Sequence, residues 1–224
     1  MNSLNSENNK LFESIKDVID KNYTTINVII VDGKITLKGT LRIKDEKNNE
    51  LGSFLIEVIV PNNFPKEIPI VREIGGRIPV CSERHFDKPH GNACLYFRDA
   101  VFLYWNENNT VIDFMKKFVE PFFLWQIEYD ITGGKNQSNS FKHGVEGAIQ
   151  FYSEILNTDK QKIIFSFVKY LTKKKIKAHW PCFCLSGKRI KDCHFDLIKK
   201  YKNKIRRKDV QKTLGEFIKY GKTS

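Results

Sequence analysis

No stretch of this 224-residue chain approaches the ~18 consecutive apolar residues of a membrane-spanning helix. The first ten residues, Met1 to Lys10, are rich in Asn and Ser and lack the basic-then-apolar pattern of a secretory leader. Cysteine is sparse and odd in number, five in all, with three crowded between Cys182 and Cys193. That distribution argues against a disulfide framework and for a reducing cytoplasm in which thiols bind metal or do chemistry. A Gly-rich nucleotide-binding loop is missing, as are internal repeats and heptads. The expectation is a cytoplasmic globular protein, not attached to a membrane, that does not activate a substrate with its own nucleotide site.

What is present is enough apolar material for a real core: 41% hydrophobic residues, including 17 Phe. The length suits one mid-sized domain with a small partner domain. Charge is placed unevenly. Residues 157–224 carry 20 Lys and Arg against 5 Asp and Glu, whereas residues 1–156 carry 18 against 21. The net charge of +12 therefore belongs to the last third of the chain. This break predicts two domains, 1–156 and a basic 157–224. It also opens three readings of the tail: a face for nucleic acid or ribosome, a face for an acidic protein, or a solvated surface.

Along the first part, Leu11, Phe12, Ile15, Val18 and Ile19 recur at helical spacing and predict an amphipathic helix over 5–21. Strands are predicted over 25–31, 34–43 and 52–60, the first two joined by the tight turn Asp32-Gly33. Pro61, Pro65 and Pro69 cannot continue a ladder and mark a rigid turn around Phe64, after which Ile68, Ile70 and Val71 resume an edge strand. Residues 75–95 show no period. Thr110 is a candidate N-cap for a helix through Val111, Phe114, Met115, Phe118 and Val119, expected to end or kink at Pro121. Phe122, Phe123, Leu124, Trp125 and Ile127 read as core. A helix over 141–156 closes this part. The fold class is α+β, a helix followed by an antiparallel meander and further helices.

The aperiodic loop ends in His90-Gly91-Asn92-Ala93-Cys94-Leu95-Tyr96. A thiol at the end of a Gly/Asn turn is reachable in the way a nucleophile must be, although free cysteines are commonly small buried hydrophobes. Cys81, in the same loop, reads as a buried strand-end thiol ahead of a second thiol at the site. His85 and His143 are candidates for a role at this site, with a structural, loop-ordering histidine as the alternative.

The order of these features resembles the ubiquitin-conjugating-enzyme-like (UBC-like) family. Pro61-Asn62-Asn63-Phe64-Pro65 with Pro69 resembles the proline-and-aromatic turn after that family's third strand. Gly91-Asn92-Ala93-Cys94-Leu95 resembles its cysteine motif. Trp105 and Thr110-Val111 resemble its Trp and the start of its next helix, and Phe141-Lys142-His143-Gly144 with Gly147 looks like a segment of bacterial members. The resemblance covers about residues 5–156. It implies that Cys94 accepts the C-terminal carbonyl of a ubiquitin-like protein as a thioester and passes it to an amine. It also implies either a separate activating enzyme as partner or a target that delivers the acyl group itself. Bacterial relatives often serve antiphage defence, including cyclic-oligonucleotide signalling systems, where they conjugate or prime a nucleotidyltransferase. The eukaryotic pattern has His-Pro-Asn some ten residues before the cysteine. Here His85-Phe86-Asp87 stands one residue closer and lacks the Asn. An ionised Asp87 cannot donate to an oxyanion, so His85, His90, Asn92 or backbone N–H groups are left as donors, with His85 first. Some members of the fold bind partners without catalysis, which keeps a non-catalytic adaptor open.

Trp180-Pro181-Cys182-Phe183-Cys184-Leu185-Ser186-Gly187-Lys188, followed by Cys193-His194, supplies four soft or borderline ligands. Four such ligands satisfy tetrahedral Zn²⁺ with no open position, a structural site. A tail this small buries little core without a metal. The stretch 180–195 resembles the SEC-C zinc motif, with Leu185 where a Gly is usual and Phe183 where a Pro is usual. Segments 160–176 and 195–220 are predicted helical, completing a small α-helical zinc-binding module; the resemblance implies a partner-docking role, and the basic flanks leave contact with RNA open.

Overall fold

The computed structural model describes residues 6–135 and 144–221. They form two compact units. One holds the described residues up to Leu95 together with those from Asn106 to Lys135; the other holds Tyr96–Trp105 and the residues from Gly144 onward. The mixed α+β class follows the expectation.

The first unit begins with α1 (Ser6–Asn22), whose Ile15 and Ile19 are buried. β1 (Ile26–Val31), β2 (Lys34–Lys44), β3 (Glu50–Val60) and β4 (Ile70–Glu73) then make one antiparallel sheet in chain order. The register aligns Val28, Leu37, Val58 and Val71 across all four strands. All four are buried, so a slip of one residue would turn this row to the other face. Gly39 sits where a Cβ would meet the Thr25 carbonyl oxygen at 2.1 Å, which is why β2 carries no side chain there. Between β3 and β4 the Pro61–Ile68 segment forms turns, and its Phe64–Pro65 peptide is cis.

After Leu95 the chain leaves this unit and returns at Asn106. Thr110 caps α3 (Val111–Phe114) as expected: its Oγ1 accepts the Asp113 N–H at 3.2 Å, and the Asp113 carboxylate accepts the Thr110 N–H at 2.8 Å. Pro121 does not end the helix. A π-helical stretch, Met115–Val119, leads into α4 (Glu120–Thr132), and Pro121 falls in the first turn of α4. A first-turn proline lacks a donor that would find little use there. Phe123 of α4 reaches the sheet, its ring 4.7 Å from that of Phe54. Gln126, inside the same apolar run, is fully buried.

The second unit contains α2 (Val101–Tyr104), α5 (Gly144–Leu156), α6 (Gln161–Leu171), α7 (Phe195–Lys204) and α8 (Arg207–Tyr220). Ala148, Phe151 and Tyr152 of α5 share one core with Ile164 and Phe167 of α6, Phe183, Ile190 and Val210. The charge break near Asn157 therefore lies inside this unit, not at its edge. Charge records what faces water, whereas the apolar stripes of α5 and α6 decide what packs together. The beginning expected for α5, with Phe141, Lys142 and His143, lies outside the described residues. Among the described residues no helix is long and apolar enough to cross a membrane.

Candidate functional site

Cys94 belongs to the first unit and is exposed. The segment before it is extended and bonded on both sides. Ala93 N–H donates to Val71 O of β4 at 2.8 Å, while Asp87 N–H donates to Asn92 O at 2.9 Å and Cys94 N–H to His85 O at 2.7 Å. Bridges Arg72–Asn92 and Phe86–Ala93 complete this short ladder. Alternation along an extended segment puts the side chains of Asn92 and Cys94 on one face. Ala93 is the residue between them.

Asp87 organises the turn. Its Oδ1 accepts the backbone N–H groups of His90 at 3.0 Å and Asn92 at 3.2 Å, and its Oδ2 accepts Asn92 Nδ2 at 3.1 Å. Desolvation pushes the carboxyl upward, but these donors outweigh it and hold Asp87 below its ordinary value. Asp87 is thus an ionised acceptor that shapes the loop. Arg72 Nε donates to Asn92 Oδ1 at 2.9 Å, so the Asn92 amide is oriented at both ends. The Cys94 thiol is pushed up by partial desolvation and, to a smaller degree, by the Asp87 charge. It rests as a neutral thiol at neutral pH.

His85 adopts a left-handed backbone, φ 57°. Its carbonyl meets the Cys94 N–H, and its ring stands edge-on to Trp125 with centroids 4.7 Å apart. His90 is exposed, 3.7 Å from Asp87 through Nδ1. Cys81 is half-buried and stands at the N-cap of a single 3₁₀ turn, Ser82–Arg84, in place of the buried strand end expected for it. His143 lies outside the described residues.

Sequence reasoning did not find the residues beneath this loop. Arg84 is buried, and its Nε donates to Gln126 Oε1 at 2.7 Å and its Nη1 to Asp130 Oδ1 at 2.6 Å. Gln126 Nε2 returns a bond to the Arg84 carbonyl at 2.9 Å. The guanidinium lies 4.3 Å above the Tyr129 ring. One signal was legible: a lone Gln in the apolar run of residues 122–127 asks for a buried partner.

In the second unit, the donor atoms of Cys182, Cys184, Cys193 and His194 all lie within 4.8 Å of one another. Cys182 Sγ is 3.3 Å from His194 Nδ1, Cys184 Sγ is 3.5 Å from Cys193 Sγ, and Cys193 Sγ is 3.1 Å from His194 Nδ1. A tetrahedral ion with bonds of about 2.0 to 2.3 Å would space its ligands by roughly 3.5 to 3.8 Å. The four residues can therefore hold a metal ion with little movement.

The local fold explains the convergence. Cys182 N–H donates to Lys188 O at 2.8 Å and Ile190 N–H to Trp180 O at 2.8 Å, closing a hairpin around Ser186-Gly187. Leu185 and Gly187 take left-handed φ values of 62° and 76°. His194 then starts α7, with its ring 5.1 Å from that of buried Phe183. Burial pushes Cys184 upward, but Ser186, whose Oγ lies 3.2 Å away, and the neighbouring thiols bring it down to about 6. Buried Cys182 is pushed up to about 12. Crowded thiols that must share protons are the arrangement a cation relieves, because each ligand binds deprotonated.

Comparison with protein-family profiles, curated proteins and solved structures gave no match.

Proposed function

We propose that the chain is a UBC-like conjugating protein that carries an acyl group on Cys94 and has a zinc-binding tail. The observation that carries this reading is the reachable Cys94 thiol at the end of an extended segment held from both sides by backbone bonds. Such a thiol is open to a macromolecular acyl donor while its backbone stays fixed. In the first step Cys94 Sγ attacks the activated C-terminal carbonyl of a ubiquitin-like protein. The S–C bond forms, the bond to the activating group breaks, and the thiol proton leaves to water. In the second, an amine attacks the thioester carbonyl. The N–C bond forms, the S–C bond breaks, and the amine's proton restores the thiol.

Asn92 is the oxyanion donor in this scheme. Its amide is oriented by Arg72 and Asp87 and stands two residues before Cys94 in the chain. A fixed donor aimed at developing charge needs no reorganisation during the reaction. His85 orders the loop through its carbonyl, and Asp87 sets the turn. The activating enzyme is a separate protein, and the acceptor amine lies on a partner such as a nucleotidyltransferase in an antiphage defence system. Zn²⁺, held by Cys182, Cys184, Cys193 and His194, is structural, since four protein ligands close its shell.

The test is to incubate the protein with a candidate ubiquitin-like protein, its activating enzyme and ATP, and to look for a conjugate that a reducing agent cleaves. Its loss in Cys94→Ala supports the thioester. The same conjugate in Cys94→Ala refutes it. A second reading, a partner-binding adaptor without catalysis, is favoured by the upward-shifted thiol. It requires that no conjugate form in the wild type although the modifier binds.

A further inference from the structure

The loop that presents Cys94 is anchored to helix α4 by Arg84. Arg84 precedes His85, the residue whose carbonyl accepts the Cys94 N–H at 2.7 Å. Its guanidinium spans three partners on one helix: Gln126 Oε1 at 2.7 Å, the Gln126 carbonyl at 3.3 Å and Asp130 Oδ1 at 2.6 Å. Gln126 Nε2 binds back to the Arg84 carbonyl at 2.9 Å, so main chain and side chain of Arg84 are both fixed to α4. Asp130 also lies 3.9 Å from Arg77, whose Nη1 donates to Ser53 O of β3 at 2.8 Å. The turn, helix α4 and the sheet are thereby joined in one polar network.

Burial sharpens the point. Arg84 is 8% exposed and Gln126 0%. A guanidinium is a planar fork that can satisfy several acceptors at once, whereas a lysine in its place offers a single point charge and leaves acceptors unpaired. A buried arginine at a surface turn is a demanding arrangement, since breaking one partner leaves the others unsatisfied. The thiol itself makes none of these contacts; the link to it runs through one peptide and one backbone bond.

From this geometry we infer that Arg84 is a positioning residue for Cys94, with Gln126 as its partner. The inference rests on Cys94 as acyl carrier for its purpose, but the positioning is measurable without any acyl chemistry. The clamp holds the His85 carbonyl where it fixes the Cys94 backbone, and so keeps the thiol in its partly desolvated seat beside Asp87.

The experiment is alkylation of the full-length protein by iodoacetamide across pH, with Cys94 followed by peptide mass spectrometry. Arg84→Lys and Gln126→Leu are compared with wild type, all well below their unfolding temperatures. Tyr23→Phe is the control for lost stability alone. Tyr23 donates to Glu120 Oε1 at 2.5 Å elsewhere in the same unit. Release of the clamp is expected to move the Cys94 midpoint toward the ordinary thiol value and to speed alkylation at neutral pH several-fold. Tyr23→Phe should lower stability and leave the profile in place. Wild-type profiles in both Arg84→Lys and Gln126→Leu would overturn the assignment, as would an equal shift in Tyr23→Phe. A shifted profile with no thioester in wild type would leave the clamp standing and remove the conjugating role. A thioester with unshifted profiles would do the reverse.

Discussion

Cys94 donates its backbone N–H to the carbonyl of His85 at 2.7 Å, and this bond ties the exposed thiol to the turn that Asp87 closes. The pair defines how the loop behaves: the histidine contributes its main chain and packs its ring against Trp125, while the thiol stays neutral beside a carboxylate that is held ionised.

Alkylation of Cys94 should therefore rise with pH through a midpoint above the ordinary thiol value. Asp87→Asn removes the neighbouring charge while keeping an oxygen to accept the His90 and Asn92 N–H groups. Without that charge the thiolate is easier to form. The midpoint should move down and the neutral-pH rate rise several-fold, read by mass spectrometry of the Cys94 peptide. An unchanged profile would remove Asp87 from the electrostatics of the thiol.

The metal reading makes a separate demand. Purified protein should contain about one zinc per chain by elemental analysis, as a closed four-ligand site requires. Cys193→Ser and His194→Ala should each lose it. Cys182 and Phe183 sit in the same buried cluster as Phe167 and Ile190, so a strong chelator should lower the thermal midpoint of the second unit's helices, followed by far-ultraviolet dichroism. A metal-free protein with an unchanged melt would exclude the site.

The legible parts of the sequence were those with a short period or a fixed spacing. α1, the β1–β2 hairpin, β3 and the Thr110 cap all come from local patterns of apolar residues, turn residues and caps, and all stand close to where the pattern put them. The cluster of Cys182, Cys184, Cys193 and His194 was legible because four donors spaced within 13 residues, two on a hairpin and two just after it, can meet without help from elsewhere. Three features were not. The π-helical stretch before Pro121 depends on how the chain absorbs a missing donor, which no period records. The Arg84–Gln126 clamp joins residues 42 positions apart, and only the odd placement of a polar residue in an apolar run hinted at it. The segment Tyr96–Trp105 packs with the helices after Gly144, a non-local pairing that neither charge nor composition carries.

Leu185 gives a test of backbone strain at the hairpin that carries Cys182 and Cys184. It takes φ 62°, and its side chain is 61% exposed, so little packing offsets the left-handed conformation. That conformation costs a non-glycine residue roughly 1 to 2 kcal/mol, part of which glycine returns through its more flexible unfolded chain. Leu185→Gly should stabilise the protein by about 0.5 to 1 kcal/mol in denaturant titration, without change in metal content. Destabilisation would mean that Leu185 makes contacts outweighing the strain.

A buried carboxyl in the second unit yields the most specific expectation for pH. Asp99 is 1% exposed and accepts the Tyr152 hydroxyl at 2.7 Å. Burial pushes its pKa up, and the Tyr152 and Thr213 hydroxyls and the Arg98 charge oppose that rise without overcoming it. A carboxyl raised in the folded state binds its proton more tightly there than in the unfolded chain. Stability therefore declines as pH climbs from the unfolded carboxyl range, about 3.9, through the folded midpoint. Tyr152→Phe removes the nearest donor and leaves a buried acceptor short of a partner, a loss of about 1 to 3 kcal/mol. The ionised carboxylate needs that donor more than the neutral acid does. The deficit against wild type should accordingly be larger at neutral pH than near pH 4, measured by denaturant unfolding at both. Equal deficits at the two values would mean that Asp99 keeps its proton throughout, with Tyr152 serving it only as a neutral partner.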